Sequence, residues 1–320
     1  MKKALITGVN GFVGRYLGLA LKKRGITVYG TSRLKRWEKT EQLNFVDEII
    51  ISSFSDKEDI KRVINQVEPD VIFHLAAQSN VRQSWNSPSE TILANTMITL
   101  LLFESVKEIS KSIRIVTIGS SEEYGHWDGI KFPIVEDEHL NPKNPYAISK
   151  MNVSLFAKEF SSVFGLDIVH LRPFNHIGPG QGAGFVVPDF AQQIVEIERK
   201  NKKPEIIVGN LSAKRDFTDV RDIVEAYVLA AEQGITGQIY NICSGESVEI
   251  SYVLKSLISM SSENIVVNID ESKFRPNDIP DYYGSNSKFK ALTFWKPQFT
   301  LQQTLNDVLN DMRSKRTDGK

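Results

Sequence analysis

Residues 3–14, KALITGVNGFVG, join a short apolar strand to the start of a helix through three glycines spaced GxxGxxG. Glycine lets a backbone turn tightly and approach a ligand closely, because it carries no side chain. Between a first strand and a first helix, such a loop seats a pyrophosphate on the helix N-terminus. The stretch therefore predicts a dinucleotide-binding loop rather than a glycine-rich turn without a ligand. The residues expected to line it are Gly8, Asn10, Gly11, Phe12, Val13 and Gly14.

Strand and helix signals alternate from this loop as far as residue 172. Short apolar runs are separated by stretches with helical periodicity, among them residues 88–109 and 144–165, each expected to form one helix. This order predicts an α/β fold with a Rossmann-type, doubly wound parallel sheet that is covered by helices on both faces.

The pattern changes after Pro173, where glycine-rich and proline-containing loops separate shorter elements. The run QIYNICSG at residues 238–245 still has the character of a sheet strand. We therefore predict a dinucleotide-binding domain of residues 1–172 plus about 218–248. The remainder, about 173–217 plus 249–320, is predicted to form a smaller, discontinuous C-terminal lobe.

The composition argues against several classes of protein. The 320 residues carry 39 basic and 39 acidic side chains, so net charge favours neither nucleic acid nor a membrane as a partner. The single cysteine, Cys243, excludes an intramolecular disulfide and lies in an apolar run typical of a buried thiol. The five histidines lack metal-ligand spacing, so no metal is expected. Without a transmembrane-length apolar run or a signal peptide pattern, we expect a cytoplasmic protein.

The residues after the second predicted strand bear on the choice of cofactor. A carboxylate there would bind the ribose 2′-hydroxyl of NAD, whereas a basic group accommodates the 2′-phosphate of NADP. Residues 31–36 read TSRLKR and contain no acid, with Arg33 best placed and the hydroxyls of Thr31 and Ser32 beside it. The stretch favours NADP(H) over a merely solvated basic loop, and it leaves NAD(H) use open.

Tyr146 and Lys150 form the pattern YxxxK near the start of a predicted helix. A spacing of four residues puts the phenol and the ammonium on one helix face. A phenol has a pKa of about 10, and a nearby cation is expected to lower it. The phenol would then exchange a proton with a carbonyl or alcohol oxygen during hydride transfer. An ordinary amphipathic helix shows the same spacing by chance, but the preceding dinucleotide loop favours catalysis.

Four motifs in order resemble the extended short-chain dehydrogenase/reductase family: GxxGxxG, HLAAQS at residues 74–79, GSSEEYG at 119–125 and YAISK at 146–150. The resemblance covers essentially the whole chain. It implies that the smaller C-terminal lobe is a substrate-binding lobe, which takes a nucleotide sugar. It implies a Ser/Thr-Tyr-Lys triad, for which the matching residues are Ser120, Tyr146 and Lys150. It also implies that the cofactor approaches Leu75, Ala76, Ala77, Tyr146, Lys150 and His176.

Similar family members bind the diphosphate of a nucleotide sugar through an asparagine and two arginines, which match Asn175, Arg215 and Arg275 here. Arginine suits this task because it donates charge-assisted, often bidentate hydrogen bonds. Considered by itself, either arginine would be interpreted as one partner of a surface ion pair. The resemblance further implies a hexose site lined by Gln78, Ser79, Ser84 and Glu122.

Two longer stretches, residues 172–194 and 208–227, look like the GDP-6-deoxy-4-keto-mannose reductases, which make GDP-D-rhamnose. The expected reaction is therefore NADPH-dependent reduction of the C4 keto group of GDP-4-keto-6-deoxy-D-mannose. A GDP-mannose 4,6-dehydratase, or another nucleotide-sugar dehydratase or epimerase, is the alternative. A non-catalytic NADP sensor is a third.

Two features weigh between the reductase and the dehydratase. Residues 177–182 read IGPGQG, where the dehydratases have Glu-Ser-Pro-Arg-Arg-Gly, and this departure favours the reductase. Glu122 favours the dehydratase, because it matches the glutamate that moves the sugar C5 proton in those enzymes. Neighbouring Glu123 and Tyr124 are expected to be structural.

The helices predicted at residues 88–109 and 144–165 carry more apolar surface than one buried face needs. Members of the family that the sequence resembles often pair such helices in a four-helix interface. We therefore expect a homodimer. The alternative is that both helices use this surface in packing against the sheet and neighbouring helices.

Overall fold

Seven parallel strands form the central sheet of the computed structural model, which describes residues 1–33, 43–109, 112–127, 129–274 and 279–315. With strands numbered in chain order, they are β1 (Lys3–Thr7), β2 (Thr27–Ser32), β3 (Glu48–Ile51), β4 (Val71–His74), β5 (Arg114–Ile118), β6 (Ile168–Pro173) and β11 (Ile239–Ile242). Across the sheet the order is β11-β6-β5-β4-β1-β2-β3. The chain therefore winds outward in both directions from β1, the arrangement of a doubly wound sheet.

Helices cover both faces of this sheet, as the alternating sequence predicts. On β1, Ala4 and Ile6 face one core, whereas Leu5 faces the other. The first core packs against α1 (Phe12–Lys23), α8 (Val220–Gln233) and α10 (Ser287–Thr293). The second core packs against α2 (Lys57–Val67), α5 (Ile98–Glu108) and α6 (Pro145–Phe164). Because both faces are buried, the strands need apolar residues at successive positions rather than at alternate ones.

Helix α6 begins and ends where local signals predict. Asn144 is its N-cap, with the side-chain oxygen accepting from the Ala147 amide at 2.8 Å, and Pro145 occupies the first turn. Gly165 ends the helix in the left-handed conformation, with φ of 68°. These caps place Tyr146 in the first turn and Lys150 one turn later.

The helix predicted over residues 88–109 is continuous but not uniform. It comprises α4 (Pro88–Ile92), a π-helical segment (Leu93–Met97) and α5. Such π-helical segments frequently occur at functional sites. The short helix α3 (Val81–Asn86) precedes it.

A second group of elements has its own apolar core. Its helices are α7 (Val186–Glu198), α9 (Ile250–Ser259) and α11 (Leu301–Ser314), beside the parallel pair β8 (Glu205–Val208) and β13 (Val266–Ile269). The remaining strands are β7 (Asn175–Ile177), β9 (Lys214–Arg215), β10 (Phe217–Asp219), β12 (Val248–Glu249) and β14 (Asp281–Tyr282). The domain boundaries drawn from the sequence stay predictions.

Cys243 is buried, as predicted, directly after β11. In the described part of the chain, no helix has both the length and the apolar character needed to cross a membrane.

Candidate active site

The predicted site residues follow the carboxyl ends of five neighbouring strands. Gly8 comes after β1, Arg33 after β2, Leu75 after β4, Ser120 after β5 and Asn175 after β6. In a parallel sheet these ends lie along one edge, where open α/β sheets bind their ligands. The topology therefore gathers side chains that are far apart in the sequence.

The glycine loop has the shape of a dinucleotide cradle. Gly8 has φ of +71°, and a Cβ there would lie 3.0 Å from the Ala76 backbone. A Cβ on Gly14 would lie 2.6 Å from the Gly8 carbonyl oxygen. Helix α1 starts at Phe12 without a side-chain hydrogen bond capping its N-terminus. Its first amides are thus available to an anion.

A further observation supports the fit of a dinucleotide to this loop. The Oδ1 atom of Asn10 is buried without a hydrogen-bond partner among the described residues. Leu75 and Ala76 are half-buried and Ala77 is exposed, all in the loop that Gly8 touches. The loop after β1 and the loop after β4 therefore form adjoining walls, as NAD(P) binding requires.

Arg33 directly follows β2 and is exposed, while Thr31 and Ser32 at the strand end are buried. Arg33 therefore lies at the strand end where the sequence predicts a contact with the 2′-phosphate. Residues 34–36 of the basic run lie outside the described residues.

Ser120, Tyr146 and Lys150 come together at the end of β5. The Ser120 hydroxyl lies near enough to the Tyr146 phenol to lower the pKa of that phenol. The Lys150 ammonium donates to the carbonyl oxygen of Ile118 at 2.7 Å and lies 6.0 Å from the centre of the tyrosine ring. A hydroxyl, a phenol and an ammonium thus face one small region beside the glycine loop.

The pKa of Tyr146 is displaced in the direction opposite to the one predicted. Burial raises it, and the nearby Glu122 and Glu123 carboxylates raise it further, while the Ser120 hydroxyl opposes them. Burial also lowers the pKa of Lys150, to about 8, against the opposing effect of the Glu123 charge. The phenol is therefore protonated at neutral pH and suited to donate a proton.

Glu122 is half-buried beside the start of α6. Its Oε2 atom accepts a hydrogen bond of 3.1 Å from the Asn144 side-chain amide. The same Asn144 caps the helix that carries Tyr146. The carboxylate is therefore oriented close to the phenol.

Two of the predicted diphosphate ligands lie close together. Strand β7, which starts at Asn175, pairs in parallel with β10, and the Asn175 amide donates to the carbonyl oxygen of Asp216 at 3.4 Å. Arg215 precedes that aspartate, and its guanidinium donates to the carbonyl oxygens of Lys214 and Ile279. The third predicted ligand, Arg275, lies outside the described residues.

The residues predicted to line the hexose site differ in how freely their side chains could contact a sugar. Ser79 is exposed, whereas Ser84 is fully buried and donates to the Val81 carbonyl oxygen at 2.7 Å. The Gln78 amide donates to the Asn80 carbonyl and to the Thr91 hydroxyl, at 2.9 and 3.2 Å. In this structure Gln78 and Ser84 therefore support the loop, and their contact with a sugar stays a prediction.

The histidines near the sheet edge are neutral. Burial lowers the pKa of His74 to about 3, and its Nδ1 atom lies 2.9 Å from the Thr7 hydroxyl oxygen. His176 is half-buried, with its ring centre 6.3 Å from that of Phe12 in the glycine loop, and burial lowers its pKa as well. Across the described ranges, no three His, Cys, Asp or Glu side chains are grouped to hold a metal ion.

A protein-family model described as GDP-mannose 4,6 dehydratase matches residues 5–308. The chain belongs to the GDP-mannose 4,6-dehydratase family. It is therefore an NAD(P)-dependent enzyme of the nucleotide-sugar oxidoreductase class, and the resemblance to the extended short-chain dehydrogenases/reductases is confirmed.

Relatives in this family include enzymes of two kinds. The GDP-6-deoxy-D-mannose reductase of Pseudomonas aeruginosa is 29% identical over 98% of both chains. The GDP-mannose 4,6-dehydratase of Vibrio cholerae serotype O1 is 27% identical over 96% of this chain and 92% of its own. The solved structure of RMD from Pseudomonas aeruginosa complexed with NADPH has a TM-score of 0.84 at 27% identity, covering 98% of this chain and 99% of that one. The predicted Rossmann-type α/β fold is thereby confirmed.

Two residues that contact predicted site residues were not singled out in the sequence. Asn144 would have been found from its place before Pro145, because an asparagine followed by proline is a helix-start signal. Asn95 is buried in the π-helical segment, and its amide donates to the Gln78 carbonyl oxygen and the Ser149 hydroxyl, both at 2.9 Å. A lone amide in the apolar run ILANTMITLLL was its only signal.

Proposed function

We propose that this family member reduces the C4 ketone of GDP-4-keto-6-deoxy-D-mannose with NADPH to give GDP-D-rhamnose. The observation that carries the proposal is the grouping of the Ser120 hydroxyl, the protonated Tyr146 phenol and the Lys150 ammonium beside the glycine loop. Similarity to the Pseudomonas aeruginosa reductase over 98% of both chains supports the choice of reaction. The run IGPGQG at residues 177–182 supports it too, because it departs from the dehydratase pattern.

In the proposed reaction each residue has one task. NADPH, when bound, supplies a hydride for C4 of the sugar. Ser120 orients the ketone oxygen through its hydroxyl, and Tyr146 donates its proton to that oxygen as the alcohol forms. Lys150 stabilises the negative charge that develops on the tyrosine oxygen. The product gains one hydride at C4 and one proton at O4.

NADP(H) is the proposed cofactor. Arg33, exposed at the end of β2, is a suitable partner for the 2′-phosphate. The Pseudomonas aeruginosa structure with a TM-score of 0.84 is complexed with NADPH, which supports the same choice here. Use of NAD(H) is compatible with the same glycine loop.

The deciding experiment offers the purified protein two substrates separately. With GDP-4-keto-6-deoxymannose and NADPH, we expect NADPH absorbance to fall and GDP-rhamnose to form. With GDP-mannose alone, we expect no change. Appearance of the 4-keto sugar from GDP-mannose would instead make the protein a dehydratase.

Dehydratase activity is the second candidate because Glu122 is held beside Tyr146 by Asn144. Elimination needs a base at C5, whereas ketone reduction does not. For a reductase, Glu122→Gln should keep turnover within about fivefold, because the amide still binds sugar hydroxyls. For a dehydratase, it should lose at least about 100-fold, the usual contribution of a general base. Rates of each reaction, measured with the wild type and the variant, separate the two.

We expect the reduction rate to decline as the pH rises through about 8, because burial lowers the pKa of the Lys150 ammonium to about that value. Above that pH the ammonium loses its charge, while Tyr146, whose pKa burial raises, keeps its proton. A profile of kcat against pH would measure this. Lys150→Arg should move the decline to higher pH, because a guanidinium stays charged. An unmoved decline in that variant would assign it to another group.

We further propose that the protein is a homodimer joined by two helices from each copy. Apolar side chains remain exposed on the helical run 88–108 and on α6, namely Leu93, Met97, Ile148, Leu155, Phe156, Val163 and Phe164. Burying such a surface would be favourable, at about 25 cal/mol per Å². Light scattering should give twice the chain mass, and Leu155→Glu should reduce it to a single chain. A single-chain mass for the wild type would refute the dimer.

A further inference from the structure

Glu123 holds the main chain of the residue that carries the catalytic hydroxyl. Its Oε1 atom accepts a hydrogen bond of 2.9 Å from the Ser120 amide. In return, the Ser120 hydroxyl oxygen accepts from the amide of Glu122 at 3.2 Å. The two residues form a capping box around the 3₁₀ turn Ser121–Glu123. The position of the Ser120 side chain therefore depends on where the Glu123 carboxylate sits.

The carboxylate of Glu123 is fully buried yet charged. Burial by itself would raise its pKa, but the Arg172 guanidinium and the bond from His170 bring it down to about 2. Arg172 Nε donates to Oε2 at 2.7 Å, and His170 Nε2 lies 3.3 Å from Oε1. Because a charged carboxylate only accepts, His170 must donate from Nε2. Its Nδ1 atom then accepts from the Thr117 hydroxyl at 2.8 Å.

The backbone around this carboxylate leaves no spare room. A Cβ on Gly119 would lie 2.1 Å from Glu123 Oε1 and 2.3 Å from His170 Nε2. A side chain at residue 119 is thus incompatible with the observed pair. The turn between β5 and Ser120 is shaped around the buried carboxylate.

Arg172 extends the same network to the helix that carries the other two catalytic groups. Its Nη2 atom donates to the Ser154 hydroxyl on α6 at 3.3 Å, and its Nη1 atom donates to the Tyr124 hydroxyl at 3.0 Å. Ser154 lies one turn beyond Lys150 on that helix. One buried ion pair therefore ties the turn that holds Ser120 to the helix that holds Tyr146 and Lys150.

We propose that Glu123 is a positioning residue for the reaction, which sets the Ser120 hydroxyl against the Tyr146 phenol through its bond to the Ser120 amide. This inference rests on the proposed triad but not on the identity of the sugar. A misplacement of reacting groups by about 1 Å can cost about 100-fold in rate. A carboxylate held by a buried cation is a rigid support for that alignment.

The test is a double-variant cycle between Glu123→Gln and Ser120→Ala. Glu123→Gln should lower kcat by about 10- to 100-fold, with the KM for NADPH unchanged within about twofold. In the Ser120→Ala background, the same change should lower kcat by less than about twofold, because the hydroxyl it positions is already gone. A full loss in both backgrounds, or no loss in either, would overturn the proposal.

A control variant tests whether the loss of an ion pair outside the site also lowers kcat. Glu198 on α7 accepts two bonds from Arg313 on α11, at 2.9 and 2.6 Å. Glu198→Gln should lower the melting temperature while leaving kcat unchanged. If Glu123→Gln does not fold, Glu123→Leu combined with Arg172→Met removes both charges together, a replacement that buried pairs often tolerate. The double variant is then combined with Ser120→Ala in the same cycle. Its kcat values are interpreted as for Glu123→Gln.

The cycle also stays informative if the proposed function fails. Should the wild type consume no NADPH with the 4-keto sugar, the cycle is measured on formation of the 4-keto sugar from GDP-mannose. If the effects of the two substitutions on that rate are additive, the positioning role of Glu123 is refuted and the proposed reaction is not affected. If the wild type is inactive in the first assay, the reductase proposal is refuted and the role of Glu123 is not affected.

Discussion

Replacing Tyr146 by phenylalanine is expected to lower turnover by about 1,000-fold and to leave the affinity for NADPH within about twofold. The change removes only the phenolic oxygen, which is the proton donor and the partner of Ser120. Positioned proton transfer contributes about 100- to 10,000-fold to a rate. Steady-state turnover and a fluorescence titration with NADPH measure the two quantities separately.

A tyrosine outside the site provides the control for this variant. Tyr240 on β11 is buried, and its hydroxyl accepts from the Ile235 amide at 3.2 Å. Tyr240→Phe should cost about 1 kcal/mol of unfolding free energy and leave turnover intact. Near-normal turnover of Tyr146→Phe would refute the catalytic assignment. A matching loss in Tyr240→Phe would show that the removal of any buried hydroxyl has this effect.

Replacing Gly14 by alanine should weaken NADPH binding by about 10- to 100-fold, the equivalent of about 1–3 kcal/mol of overpacking. Its Cβ would lie 2.6 Å from the Gly8 carbonyl oxygen and 2.7 Å from that of Val9. Both are backbone atoms of the glycine loop, so helix α1 must move away from the loop to make room. That movement displaces the amides expected to hold the pyrophosphate.

Isothermal titration with NADPH would measure the effect, with circular dichroism to verify the fold. Gly182→Ala is the matched control, because Gly182 is exposed and a Cβ there would have no atom within 4 Å. Equal affinities of Gly14→Ala and the wild type would mean that the dinucleotide does not lie on this loop.

Local sequence patterns determined much of this fold. Apolar runs such as residues 3–7 and 168–173 predict strands buried on both faces, because each strand of a covered parallel sheet contacts two cores. The glycines at positions 8, 11 and 14, together with the caps at Asn144 and Gly165, mark where helices begin and end. The pairing of Tyr146 with Lys150 also follows from local geometry, since residues four apart share a helix face.

Only the tertiary structure shows why the two adjacent glutamates have different surroundings. Glu122 turns toward Asn144 at the start of α6, whereas Glu123 is buried against Arg172, 49 residues away in the chain. Consecutive residues of a 3₁₀ turn point in directions about 120° apart, so they meet different parts of the protein. Which direction leads to the site depends on how β5, β6 and α6 pack.

The charge state of Tyr146 was also decided by packing. The spacing YxxxK predicts a phenol with a lowered pKa, because a cation one turn away favours the phenolate. In the folded protein burial raises that pKa and lowers the pKa of Lys150 to about 8. The sequence thus determined which groups lie on one helix face, because the period of 3.6 residues per turn is a local property of a helix. Desolvation depends on everything that surrounds those groups, and only the tertiary structure decided it.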